Sequence, residues 1–192
     1  MLRELVLLGI SAAFINNFML TQFFGIAPAL GASANVKNAV GMGLAVLFVL
    51  IFSSLLTWVI NAYVLVLLGI EFMETVAFML VIVAFVEWLL RRKVKILDEV
   101  FGKYMPIIIA NCAILGIVII NSSRFGVLRE NFAHTVVNSV AAGLGFLIVI
   151  VLLAGIRERL ELKNIPRHFR GIPIALISAA LIAIAFLGFS VG

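Results

Sequence analysis

Asn16-Asn17-Phe18-Met19-Leu20-Thr21-Gln22-Phe23-Phe24-Gly25-Ile26-Ala27-Pro28-Ala29-Leu30-Gly31 breaks into what is otherwise an apolar helix. Two adjacent amides inside the run, then Gly25, Pro28 and Gly31 within a turn or two of one another, predict irregular backbone. Pro28 lacks a backbone donor, and its ring clashes with a preceding helical turn. Outward from this stretch the chain is almost wholly apolar: 65% of residues are hydrophobic, 12% are charged and the mean hydropathy is +1.28. A soluble domain of 192 residues keeps a polar shell. Here the polar residues form short clusters between long apolar runs, so the solvent for those runs is lipid.

Runs long enough to span roughly 30 Å of hydrocarbon, about 20 residues as helix, lie near 4–24, 39–62, 73–90, 105–121, 134–156 and 172–190. The first continues to Phe24 without a small-residue cleavage site and is expected to stay in the mature protein. With six spans, one side collects Lys37, Arg91, Arg92, Lys93, Lys95, Lys103, Arg157, Arg159, Lys163, Arg167 and Arg170, against Arg3, Arg124 and Arg129 on the other. The positive-inside rule makes the richer side cytoplasmic and puts both termini, with Glu71 and Glu74, outside. The net charge of +5 thus reports topology, and no nucleic-acid partner is expected.

Internal repetition points to one membrane domain over 1–192, made of inverted halves of about 1–96 and 97–192. Ala39-Val40-Gly41-Met42-Gly43-Leu44 lies over Ser139-Val140-Ala141-Ala142-Gly143-Leu144, an offset of 100. Ala27-Pro28-Ala29-Leu30-Gly31 lies over Cys112-Ala113-Ile114-Leu115-Gly116, an offset of 85. Three spans per half is an odd number, so the second half enters the membrane inverted. The fold expected is all-α, with six transmembrane helices as two inverted three-helix repeats. The first helix of each half should be interrupted near the midplane, by Asn16 to Gly31 and by Pro106, Asn111, Cys112 and Gly116. Irregular backbone at membrane depth usually lines a site.

Cys112 is the only cysteine, so an internal disulfide and a self-contained Cys-rich metal site are both excluded. Glu87, beside Trp88, is read as pairing with Arg91 at i,i+4, with a proton or cation site as the alternative. His134 and His168 lie at span ends without metal-ligand spacing and read as interfacial. No phosphate-binding loop, dinucleotide fingerprint or nucleophile elbow is present, so catalysis by this chain alone is not expected. Two classes survive: a subunit of a membrane redox or ion-pumping complex, and a small inverted-repeat transporter or channel without a redox cofactor.

Asn16-Asn17, Gly25-Ile26-Ala27-Pro28, Gly41-Met42-Gly43-Leu44-Ala45, Asn111-Cys112-Ala113, Ile156-Arg157-Glu158-Arg159 and Phe169-Arg170-Gly171 come in the order found in one family. Over essentially its whole length the chain resembles the A-type membrane subunits of the Rnf electron-transport complex. The E-type subunits of the sodium-translocating NADH:quinone reductase are closely similar. The resemblance implies a prokaryotic cytoplasmic-membrane component of an ion-translocating ferredoxin:NAD⁺ oxidoreductase, working with Na⁺ or H⁺. It implies pairing with a homologous subunit of opposite topology, of the Rnf E type, beside other subunits carrying flavin and iron-sulfur centres. Between the homologous pair it implies an intramembrane [2Fe-2S] cluster, each partner giving one cysteine from each half.

Cys112 matches the second-half cysteine. The first-half position, after Gly25-Ile26 and before Pro28, is Ala27, which cannot ligate iron. That leaves the site one thiolate short and the cluster's occupancy open. Gly25, Asn111 and Gly116 are expected to line the site, with Asn16 and Asn17 near it.

Overall fold

The computed structural model describes residues 2–60, 63, 111–125, 132–161, 163 and 166–188, and among them there is helix and no strand. The spans expected near 73–90 and over the first part of 105–121 lie outside the described residues, as do Pro106, Glu87 and Arg91. Helix α1 (Leu2–Ile10) runs into a π-helical turn (Ser11–Ile15), followed by α2 (Phe18–Thr21), α3 (Ile26–Ala32) and α4 (Val36–Ile60). Then come α5 (Cys112–Phe125), α6 (Phe132–Glu161), a short 3-10 turn (Arg167–Phe169) and α7 (Ile172–Leu187).

Among the described residues, α4 and α6 are long and apolar enough to cross a membrane. Their sequences explain why they need lipid. The buried side of α4 is apolar over most of its length (Ala39, Met42, Val46, Leu50), with Ser53, Ser54 and Thr57 toward its end, and its exposed side carries Val40, Leu44, Phe48 and Phe52. A helix apolar all round is at home only in a core or a bilayer. At about 1.5 Å per residue the 30 residues of α6 reach about 45 Å, beyond the hydrocarbon thickness, so its charged end from Arg157 to Glu161 emerges from the apolar layer. The structure therefore extends the span expected at 134–156 to Glu161 as continuous helix.

The two long helices pack antiparallel. Trp58 meets Phe132 edge to face with ring centroids 4.8 Å apart. Farther along, Gly43 sits against Leu147 and Gly143 against Leu47. At the far end the Glu158 carboxylate accepts from the Val36 N–H at 2.7 Å. A Cβ on Gly143 would lie 3.1 Å from Leu47 Cγ and 3.2 Å from its Cα, and one on Gly43 would lie 3.3 Å from Leu147 Cα. Small residues thus let the backbones approach, as membrane helix pairs require when apolar burial drives nothing.

Helix α1 runs alongside α6 in the same direction, with Gly9 beside Val137 and Ala13 beside Gly145. Arg3 and Arg124 consequently stand at the Phe132 end of the bundle. Lys37, Arg157, Arg159, Lys163 and Arg170 gather at the opposite end.

The first span is broken twice and runs farther than the 4–24 read from the sequence, ending at Ala32. The π turn closes with the Asn16 N–H donating to the Ser11 carbonyl, and Asn17 caps α2, its Oδ1 accepting from the Met19 N–H at 3.1 Å. The second break comes at Phe23 and Gly25, both with positive φ (57° and 77°). Pro28 is not the breaker. It lies in the first turn of α3, where its missing N–H would have had no intrahelical partner.

Candidate functional site

The second break of the first span meets the start of α5. The N–H of Gly25, at the start of α3, donates to Sγ of Cys112, the first residue of α5, at 3.1 Å. Gly25 has to be glycine on two counts. Its φ of 77° is left-handed, and an added Cβ would lie 2.9 Å from Ala113 Cβ, 3.1 Å from Asn111 Oδ1 and 3.1 Å from a Phe146 ring carbon. Gly116, one turn into α5, lies under the Phe24 ring, leaving no room for a side chain. Two glycines, one in the turn before α3 and one in α5, therefore interlock these segments.

An asparagine makes the same local bond at the start of α5 and at the first of the two breaks in the first span, while no side chain caps α3 at Gly25. Asn111 Oδ1 accepts from the Ala113 N–H at 3.0 Å, as Asn17 Oδ1 accepts from Met19. Both satisfy a helix-start donor that would otherwise be orphaned at membrane depth. Asn17 Nδ2 donates to the Ala13 carbonyl at 2.9 Å. The corresponding amide of Asn111, a residue 4% exposed, has no hydrogen-bond partner among the described residues. Helix α6 braces the first break, where Gly145 admits Ala13 and Asn17 and the Phe146 ring stacks on Phe18 with centroids 6.1 Å apart, and the same ring lies against Gly25.

Cys112 is exposed, as is Ala27 in the first turn of α3. A soft sulfur atom at a helix start, with one backbone N–H already directed at it, suits a thiolate ligand, because helix-start amides favour negative charge. Ala27 offers only a methyl group. No group of three or more His, Cys, Asp or Glu that could hold a metal occurs among the described residues, so any metal site here would draw ligands from elsewhere.

Of the residues singled out in the sequence, Gly25, Asn111, Cys112 and Gly116 come together. Asn17 supports them through α6. Asn16 does not join them; its exposed side chain donates to Ser11 Oγ at 2.9 Å. His168 is exposed on the 3-10 turn. Phe24 and Phe146 escape sequence reading, since a Phe in an apolar run carries no local sign of a special contact. Arg157 reads in the sequence only as loop charge. It is partly buried and donates to the Leu30 carbonyl at 2.6 Å and to Ser33 Oγ at 2.8 Å, tying the end of α3 to α6.

The model of the family described as "Rnf-Nqr subunit, membrane protein" matches residues 5–191. The chain is 46% identical over 189 residues to the A component of the Na(+)-translocating ferredoxin:NAD(+) oxidoreductase complex of Acetobacterium woodii, covering 97% of this chain and 96% of that one. It is 39% identical over 192 residues to the A component of the ion-translocating oxidoreductase complex of Azotobacter vinelandii, covering 98% and 97%. The protein of that same description from Yersinia enterocolitica is 40% identical over 192 residues, with 98% and 97% covered.

Proposed function

The chain belongs to the Rnf-Nqr family of membrane subunits, and from that premise we propose that it is the A-type subunit of an ion-translocating ferredoxin:NAD⁺ oxidoreductase. The names of its relatives and their near-complete coverage support this reading. In it the chain lies in a prokaryotic cytoplasmic membrane with both termini outside, paired with a homologous subunit of opposite topology. Other subunits carry flavin and iron-sulfur centres, and electron transfer is coupled to movement of Na⁺ or H⁺. Segregation of Lys37, Arg157, Arg159, Lys163 and Arg170 from Arg3 and Arg124 supports that orientation. The antiparallel pairing of α4 with α6, and the reciprocal contacts of Gly43 with Leu147 and Gly143 with Leu47, support two inverted halves.

The cofactor in this reading would be a [2Fe-2S] cluster shared with the homologous subunit, and it would supply one-electron relay through the membrane. One observation supports this: the Gly25 N–H reaches Cys112 Sγ at 3.1 Å, so that the break before α3 and the start of α5 converge on the only thiol. Cys112 would be this chain's ligand. Ala27 would border the cluster without ligating it, so the chain gives one thiolate and another group completes the set. Gly25 and Gly116 keep the two segments close, and Asn111 orients the start of the helix that carries Cys112.

Iron, acid-labile sulfide and EPR of the purified complex, compared with an Ala27→Cys variant, test the reading. A [2Fe-2S] signal in both means that another group already completes the site. A signal only in Ala27→Cys makes this a chain that has lost a ligand. No signal in either rejects the redox role of Cys112.

A further inference from the structure

We propose that the cleft between the last turn of α6 and the start of α7 binds the headgroup of an anionic phospholipid. The cleft has a volume of about 330 Å³, and its walls include Arg157, Glu161, Lys163, Arg170 and Ile174. Among the described residues three cations and one carboxylate line it, and even with Arg170 counted as paired, Arg157 and Lys163 outnumber Glu161. The Arg157 guanidinium is fixed by donating to a neutral carbonyl and a neutral hydroxyl, so those bonds orient its charge without cancelling it.

Two further features choose a lipid over a free anion. First, the cleft stands where α6 leaves the apolar layer, which is headgroup depth, and basic pockets at that depth between membrane helices recognise anionic headgroups. Second, α7 descends from it with one apolar side outward: Ile172, Leu176, Leu181 and Ile184 are 66%, 46%, 62% and 64% exposed, while Ala175, Ser178, Ala179 and Ile182 face the protein. A phosphate in the cleft would thus have its acyl chains against an open apolar helix face. Gly171, with φ 89°, turns the chain sharply between the two.

The experiment is native mass spectrometry of the purified complex in micelles holding equal phosphatidylglycerol and phosphatidylcholine. Retention of phosphatidylglycerol over phosphatidylcholine is expected. It should fall by roughly tenfold or more in a Lys163→Gln, Arg170→Gln variant and stay unchanged in Lys37→Gln, which is outside the cleft. Equal retention of both lipids, or undiminished phosphatidylglycerol in the double variant, would overturn the proposal. So would a thermal shift from inorganic phosphate alone as large as that from the lipid, which would indicate a free-anion site. Should the double variant fail to assemble, a photoreactive amino acid substituted for Ile174 decides: an adduct with phosphatidylglycerol supports the proposal, and an adduct with a partner polypeptide refutes it.

Discussion

The backbone N–H of Gly25 donates to the Cys112 sulfur across 87 positions of sequence, joining an interrupted helix of the first half to the helix start of the second. A thiol held in this way is positioned by backbone alone, and the glycine conformation that permits it becomes the most vulnerable point of the site.

Gly25→Ala should destabilise the protein by about 1–3 kcal/mol, since the new Cβ meets both an unfavourable φ and the Ala113 methyl. Thermal unfolding of the purified complex measures it. Gly31→Ala is the control: nothing lies within 4 Å of a Cβ there, and helix propensity predicts a gain of up to about 1 kcal/mol.

Asn17→Ala and Asn111→Ala each remove a helix cap and should cost about 1 kcal/mol apiece. If the proposed cluster is present, only Asn111→Ala should also change its EPR spectrum or midpoint potential, because Asn111 adjoins Cys112 and Gly25 whereas Asn17 acts through α6. An unchanged spectrum and potential in Asn111→Ala would remove Asn111 from the cluster's surroundings.

Gly43→Val should push Leu147 aside and cost about 1–3 kcal/mol by overpacking. Adding Leu147→Ala to that variant should recover part of the loss, giving a coupling of about 0.5 kcal/mol or more in a double-mutant cycle. Additive effects would mean that the two residues do not touch.

Arg157→Met keeps much of the stem and removes Nη1, the one nitrogen that donates to both the Leu30 carbonyl and Ser33 Oγ. A loss of about 1–3 kcal/mol is expected from the partners left buried. Limited proteolysis near Ser33 should accelerate in step, and wild-type cleavage rates would contradict the tie.

Fusion of alkaline phosphatase to the C-terminus should give active enzyme, and fusion of green fluorescent protein should give dark cells, because both termini are assigned to the outside. Fluorescent cells would reverse the orientation.

The membrane class, the two long spans and the interruption of the first span are legible in the sequence, because apolar runs and polar intrusions are local signals. Positions 39–44 and 139–144 likewise match by pattern alone, and Gly43 and Gly143 lie in one interface. Local pattern ascribes the second break to Pro28, however, whereas Phe23 and Gly25 make it. A proline's effect depends on which helical turn it occupies, and that turn is set by where the chain restarts. Arg157 looks like one more loop charge, since its acceptors lie 124 and 127 positions away. Contacts at such range leave no trace in local pattern.

The reciprocal contact of Gly43 with Leu147 and Gly143 with Leu47 has the form of a two-fold dimer interface folded into one polypeptide, each surface presenting the same small and large residue to the other. A self-complementary surface meets every steric constraint twice. Tolerance to substitution should therefore rise and fall together at sites a hundred residues apart. A change of volume at one member of a pair would open a matching change at its counterpart, so that α4 and α6 drift in sequence as partners.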